Sequence, residues 1–261
     1  MRSHDFESER SGPGLFFILV TLVVVAVLGA RYLGFYPPGG LKGLLPPRVA
    51  RETAAPAGPL VAIYHSHTTE NLGAGESHAR GEAGNIVEVG RAFKEALAER
   101  GIPAVHTTTV HDYPVFKDGF ANARETIAEQ LAQHATVQMV FDVHRDGLPP
   151  EADDKATTVT VDGQRVARIL FVVGDRDNPH AAQNLAFAQN LDARLNELHP
   201  GLSRGVKVQQ GSFNLEVSPQ AVAVFIGSYP QNTLEEAQRA AKLLADAVAA
   251  VAVPAQPVKE Q

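Results

Sequence analysis

Two short stretches of this chain place side chains capable of metal or acid–base chemistry at the end of an apolar run. The first, VAIYHSHTTEN, carries His65, His67 and Glu70 directly after Leu60–Tyr64. The second, MVFDVHRDG, carries Asp142, His144, Arg145 and Asp146 at the end of Val137–Val143. Two neutral imidazoles and a carboxylate form the three-ligand set that leaves zinc a fourth position for water. The other ring nitrogen of a ligating histidine needs an acceptor, and Asp142 and Asp146 are spaced to supply one. The pattern does not compel this chemistry. A histidine at a strand end is commonly a hydrogen-bonded turn residue, and H-x-H arises by chance in a chain with ten histidines.

Composition narrows the field. There is no cysteine, which excludes disulfides, thiolate catalysis and every Cys-ligated zinc or iron–sulfur centre. Any metal then falls to histidines and carboxylates. Lys plus Arg total 23 against 29 Asp plus Glu, a net charge of −6, so no basic face is concentrated for phosphate and nucleic acid is not an expected partner. With 44% hydrophobic residues the chain has ample material for a folded core.

Five segments follow from the pattern. Residues 1–14 are a short polar tail. The uncharged run LFFILVTLVVVAVLGA from Leu15 to Ala30, extended to residue 34 by snorkelling Arg31 and interfacial Tyr32, reads as a single-pass membrane anchor. No A-x-A site follows it, which argues against cleavage. Residues 35–59, with YPPGG, LLPPR and TAAPAGP, read as a Pro/Gly-rich spacer in extended geometry. Residues 60–252 form the globular domain and 253–261 a frayed tail. Arg31, Lys42, Arg48 and Arg51 follow the apolar run, so the charge rule by itself would place the domain on the cytoplasmic side.

Within the domain, short apolar runs alternate with amphipathic stretches. Strands are expected at 60–64, 103–107, 137–143, 157–161, 164–173 and 221–226. Helices are expected at 85–100, at 121–134, over about twenty residues from His180, and at 233–251. Asp162-Gly163 marks a two-residue hairpin, and Thr233 with Glu236 a capping box. This alternation predicts an α/β fold, a mostly parallel sheet flanked by helices, with sites beyond the carboxyl ends of the strands.

The motif YHSHTTEN resembles the YHTHTTES of the stage II sporulation protein P family, peptidoglycan hydrolases of spore-forming bacteria. The likeness runs collinearly through NIVEVGRAFKEALAERGI, HDYP, FDVHRDG, VVGDRDNPHAAQNLAFAQNLDARLNELHPGLSRGV, FNLEVSP and IGSYPQNTLEEA. It implies a single N-terminal membrane helix, a spacer and an extracytoplasmic zinc-dependent domain, the reverse of the charge rule. It further implies septal wall remodelling during sporulation, with a lytic transglycosylase and a membrane protein as partners.

The family in turn resembles zinc N-acetylmuramoyl-L-alanine amidases, and with some members come stem-peptide endopeptidase activities. Carried over, the metal ligands fall on His67, Glu82 and His144. Glu70, inside the family motif, is the rival to Glu82 as a ligand and otherwise a catalytic carboxylate beside Arg145, which is placed to pair with a stem-peptide carboxylate or with Asp142 or Asp146. His65, Asp142 and Asn214 are expected to support the ligands or touch substrate. His106, His111, His134 and His199 are given structural roles. One departure stands out: where the family carries a catalytic Glu near the last strand, this chain reads VFIG, and Phe225 takes its place. A phenyl ring carries no proton, so Glu70 or Glu216 would have to supply the base. The rival expectation is a scaffolding homologue that binds peptidoglycan without cutting it. A tethered solute-binding domain would explain neither histidine loop.

Overall fold

The computed structural model describes residues 60–252. The tails at 1–14 and 253–261, the anchor at 15–34 and the spacer at 35–59 lie outside the described residues. Among the described residues no helix is long and apolar enough to cross a membrane.

The elements run β1 (Val61–Tyr64), α1 (Ile86–Glu99), β2 (Ala104–His106), α2 (Gly119–Gln133), β3 (Met139–Asp146), α3 (Asp154–Thr157), β4 (Thr158–Val161), β5 (Gln164–Ala167), β6 (Ile169–Gly174), α4 (Ala181–Leu198), β7 (Ser203–Gln209), β8 (Ala221–Ser228) and α5 (Leu234–Ala252). Six strands make one sheet in the order β2-β1-β3-β8-β6-β7, and β4 and β5 make a separate hairpin. Strands β2, β1, β3 and β8 are mutually parallel. Strand β6 is antiparallel to β8, and β7 runs parallel with β6. Between β3 and β6 the chain runs through α3 and the β4–β5 hairpin, and β6 then enters the sheet beside β8 in the opposite direction.

Position 168 divides what the sequence pattern gives as one strand. Asp162 and Gly163, both at positive φ, turn the hairpin. Its return strand ends at Ala167, and Arg168, donating to the Lys155, Gly201 and Ser203 carbonyls, pivots the chain into β6. Strand β7 was not expected from the pattern at all. It is a half-exposed edge whose apolar members are Val206 and Val208, too few to signal a buried strand.

Helices α1, α5 and α4 pack side by side against the sheet, while α2 lies on β1. Phe141 of β3 anchors the core, meeting Phe93 of α1 edge-on at 5.2 Å and Phe187 of α4 at 5.9 Å. Each such pair is worth about 0.5–1.5 kcal/mol beyond its area. The capping box at α5 forms: Glu236 N donates to Thr233 Oγ1 and Thr233 N to Glu236 Oε2. Because β1, β3 and β8 are adjacent and parallel, their carboxyl ends share one edge of the sheet. Alternation along β3 then puts Asp142 and His144 on one face and Phe141 and Val143 on the other.

Candidate active site

The segment from His65 to Glu70 is polar by composition yet almost completely buried, none of its six residues exceeding 9% exposure. Such burial is tolerable only if the polar groups find partners, and they do. Ser66 donates through N and Oγ to the two Asp142 oxygens, at 2.8 and 2.6 Å. Thr68 Oγ1 donates to the Thr109 carbonyl at 2.7 Å. Thr69 donates through N and Oγ1 to Asp112, at 3.1 and 2.8 Å. Close approach also demands a glycine. A Cβ at Gly84 would run into the carbonyls of Thr69 and Glu70.

This packing brings His67, Glu70 and His144 together. The His67 and His144 ring centroids are 5.5 Å apart. His144 Nδ1 faces Glu70 Oε2 at 3.5 Å, and its Nε2 lies 3.0 Å from Asp142 Oδ1. His67 Nδ1 lies 3.6 Å from Asp112 Oδ2. None of these three buried ring nitrogens makes an aligned hydrogen bond. Burial disfavours charge on His144, but Asp142 and Glu70 on either side override it and push its pKa up to about 10. Burial likewise opposes ionisation of Asp142 and Asp112. For Asp142, His144 and Ser66 more than offset it, and for Asp112, His67 and Thr69 do, so both carboxyls sit below their ordinary values.

Aromatic rings wall the pair. Phe116 stacks on His67 at 3.9 Å and 8°, Phe225 on His144 at 5.0 Å and 18°, and Phe120 stands edge-on to His67 at 5.0 Å. Phe225 sits on β8 in register with His144, so the position that the resemblance gives to a glutamate holds a ring packed on an imidazole.

The remaining candidates are placed as follows. Glu82 is exposed, and no hydrogen bond or ion pair among the described residues joins it to His67 or His144. Arg145 is buried and its guanidinium is occupied. Its Nε donates to the Asn71 carbonyl (3.1 Å), and its Nη2 to the Ser77 carbonyl (3.0 Å) and to His78 Nε2 (3.1 Å). Its backbone N donates to Glu70 Oε2 at 3.1 Å. Asp146 pairs with Arg204 instead, at 2.8 Å. Asn214, in the left-handed region at φ 57°, donates to the Phe120 carbonyl at 2.7 Å and so tethers its loop to the start of α2. Glu216 pairs with Arg124 at 2.7 Å.

His65 turns away from the site. Its Nδ1 donates to the Val143 carbonyl at 2.7 Å, which leaves Nε2 to accept from His106 Nε2 at 2.8 Å. Burial first, then the neighbouring histidine, lowers its pKa to about 3. Burial, with Lys94 and Arg91, lowers that of His106 to about 4. Helix α1 passes so close that a Cβ at Gly90 would fall 2.5 Å from His106 Nε2 and 2.7 Å from His65 Nε2. His111 donates to the His65 carbonyl at 2.8 Å, and His199 pairs with Asp246 at 2.9 Å.

Two participants were invisible to spacing. Asp112 sits in HDYP, forty-odd residues from the motif it supports. His78 lies in the Asn71–Gly84 loop, accepts from Arg145 and stands edge-on to Phe116 at 5.0 Å. Burial and Arg145 lower its pKa.

Among the described residues no cluster of three or more His, Asp or Glu side chains is gathered as a ready metal cage. The donor chemistry nevertheless fits a divalent cation. Two buried imidazoles have nitrogens without an aligned partner, a carboxylate stands beside one, and a further carboxylate backs each ring.

The sequence matches a known family over most of its length. The family model of stage II sporulation protein P matches residues 42–249. Stage II sporulation protein P of Bacillus subtilis (strain 168) is 32% identical over 204 residues, covering 72% of this chain and 49% of that protein. The chain therefore belongs to the stage II sporulation protein P family, and spans about half the length of the curated relative it matches. Among solved structures, the N-acetylmuramoyl-L-alanine amidase AmiC2 of Nostoc punctiforme is similar with a TM-score of 0.43 at 17% identity, covering 74% of this chain and 93% of that one. The CwlD amidase from Clostridioides difficile, in complex with the GerS lipoprotein, gives 0.45 at 10%, covering 72% and 93%. Likeness of that degree assigns neither residues nor chemistry.

Proposed function

We propose that this chain is a zinc-dependent peptidoglycan hydrolase of the amidase type, cleaving the amide between the muramyl lactyl group and L-alanine, with His67, Glu70 and His144 holding the metal. The observation that carries this is the juxtaposition of two buried, unsatisfied imidazoles with the Glu70 carboxylate. Glu70 replaces Glu82 in the ligand set because it is buried beside His144, whereas Glu82 is exposed. An apolar run at 15–34 would anchor the chain and place the domain outside the cell, in the setting of spore formation.

Zinc, when bound, polarises the scissile carbonyl and lowers the pKa of water. The chain's own residues do the rest. Asp142 and Asp112 hold the two imidazoles from behind, fixing ring orientation and raising basicity. Phe116, Phe120 and Phe225 keep bulk water from the rings, which strengthens every charge interaction inside. Arg145 fixes Glu70 and the 71–78 loop. Hydrolysis breaks one C–N bond, leaving a lactyl carboxylate on the sugar and a free L-alanine amine on the stem peptide.

Phe225 favours a second reading, a wall-binding protein that does not cut. A phenyl ring neither accepts nor delivers a proton, and losing a general acid–base typically costs about 10²–10⁴-fold. Zinc-loaded full chain incubated with purified peptidoglycan separates the two. Mass spectrometry is expected to find stem peptides with a free L-alanine amine, lost on chelation and in His144→Ala. Zinc binding without any released peptide would establish the second reading.

A further inference from the structure

Two cations on the loops beside the site have no partner. Arg80 and Lys117 are exposed, and neither makes a hydrogen bond or ion pair with any described residue. In the first loop His78 pairs with Glu70 in an isolated antiparallel bridge, and Ala79 N, next to Arg80, donates to the Thr69 carbonyl at 2.8 Å. In the second, Phe116–Asp118 make a single 3-10 turn, and Phe116, next to Lys117, stacks on His67 at 3.9 Å. The two loops also touch each other. His78 stands edge-on to Phe116 at 5.0 Å, and a Cβ on Gly81 would lie 3.3 Å from the Tyr113 ring. Each cation is therefore one residue from a group in contact with the segment that carries His67 and Glu70.

We infer that Arg80 and Lys117 receive a carboxylate of the stem peptide, on the peptide side of the bond that is cut, and so set specificity for an acidic peptide. This deepens the hydrolase proposal and rests on it for the identity of the ligand. Recognition of a carboxylate needs a cation that is free, and the buried Arg145 is not. Its guanidinium is committed to the Asn71, Ser77 and Asp146 carbonyls and to His78. The exposed carboxylates of the two loops, Glu76, Glu82 and Asp118, form no ion pair with either cation, and attraction across water beyond about 4 Å is weak. In a stem peptide the first free carboxylate belongs to the second residue, about 7 Å of extended chain from the scissile amide. That span is short enough to be met from residues one step removed from the His67–Glu70 segment.

The test uses the full chain and two probes, with binding measured by calorimetry. One is the tripeptide L-alanyl-γ-D-glutamyl-L-lysine with its C-terminus amidated, so that the glutamate α-carboxylate is its one acid. The other is the same peptide with that carboxylate also converted to an amide. Arg80→Gln and Lys117→Gln are each expected to weaken binding of the acid about two- to fivefold, the size of an exposed ion pair, and to leave the amide unaffected. Lys242→Gln, the same charge change on exposed α5, should bind both probes as wild type does. Zinc content, measured on every variant, tells loss of the cation from collapse of the site. Unchanged acid affinity in either loop variant, equal affinity of wild type for acid and amide, or equal weakening by Lys242→Gln overturns the assignment. So does a wild-type chain that releases stem peptides yet binds neither probe. Acid-selective binding that depends on both residues, in a chain that never cuts, supports the assignment and removes the hydrolase proposal alone.

Discussion

Removing the Arg145 side chain should loosen the site without touching a ligand. Its guanidinium makes four charge-assisted hydrogen bonds, at 3.0–3.1 Å to Asn71, Ser77 and His78 and at 3.4 Å to the Asp146 carbonyl, and faces Glu70 Oε1 at 3.8 Å. Hydrogen bonds from a charged group are worth about 1.5–3 kcal/mol each, but several on one side chain are not additive. The backbone N of residue 145 still donates to Glu70 after substitution. Breaking a buried charge contact by deleting one partner costs about 3–5 kcal/mol, and Arg145→Met is expected near the lower end. Arg145→Lys should fall between, because one ammonium cannot span acceptors that the planar fork reaches together. Urea denaturation gives the global cost. Trypsin cleavage after Arg80, exposed within the same loop, reports local opening. If most of the loss is local, cleavage should rise by about a hundredfold, the equivalent of roughly 3 kcal/mol. A Met variant within about 0.5 kcal/mol of wild type and with unaltered cleavage would refute the bracing role. It would return Arg145 to the substrate.

Two further substitutions probe single atoms. Phe225→Glu puts a carboxylate in register with His144 and should raise amide cleavage by about 10²-fold or more if the missing base limits the rate; equal rates would show that another group serves. Gly90→Ala, ordinarily worth about 1 kcal/mol in a helix interior, should instead destabilise by about 1–3 kcal/mol, because its Cβ meets the His65–His106 pair. A higher melting temperature for Gly90→Ala would contradict the close approach.

Much of the scaffold can be read directly from residue order. The apolar runs of β1 and β3 announce buried strands, Asp162-Gly163 the hairpin, and Thr233 with Glu236 the start of α5. Strand β7 escapes because its pairing with β6 is a tertiary matter that SRGVKVQ does not advertise. The reversal of β6 escapes because its direction is a matter of tertiary pairing with β8, which no local pattern records. At the site, the two histidines stand where strand ends put them. The sequence reading puts Glu82 ahead of Glu70, and it has no hold on how Asn71 and Asn85 stitch the intervening loop, which leaves Glu82 exposed and Glu70 buried. Asn85 N donates to Asn71 Oδ1, while Leu72 donates to and accepts from the Asn85 side chain. Asp112 supports His67 across a distance in sequence that no local pattern spans.

The central claim is that Glu70, with His67 and His144, holds a catalytic zinc, and metal content tests it most directly. Zinc per chain would be measured by mass spectrometry on wild type, Glu70→Gln and Glu82→Gln after identical dialysis, together with stem-peptide release. Wild type and Glu82→Gln are predicted to retain zinc and release peptides, while Glu70→Gln loses both. Zinc retained in Glu70→Gln but lost in Glu82→Gln would contradict the assignment and return the ligand to the exposed loop.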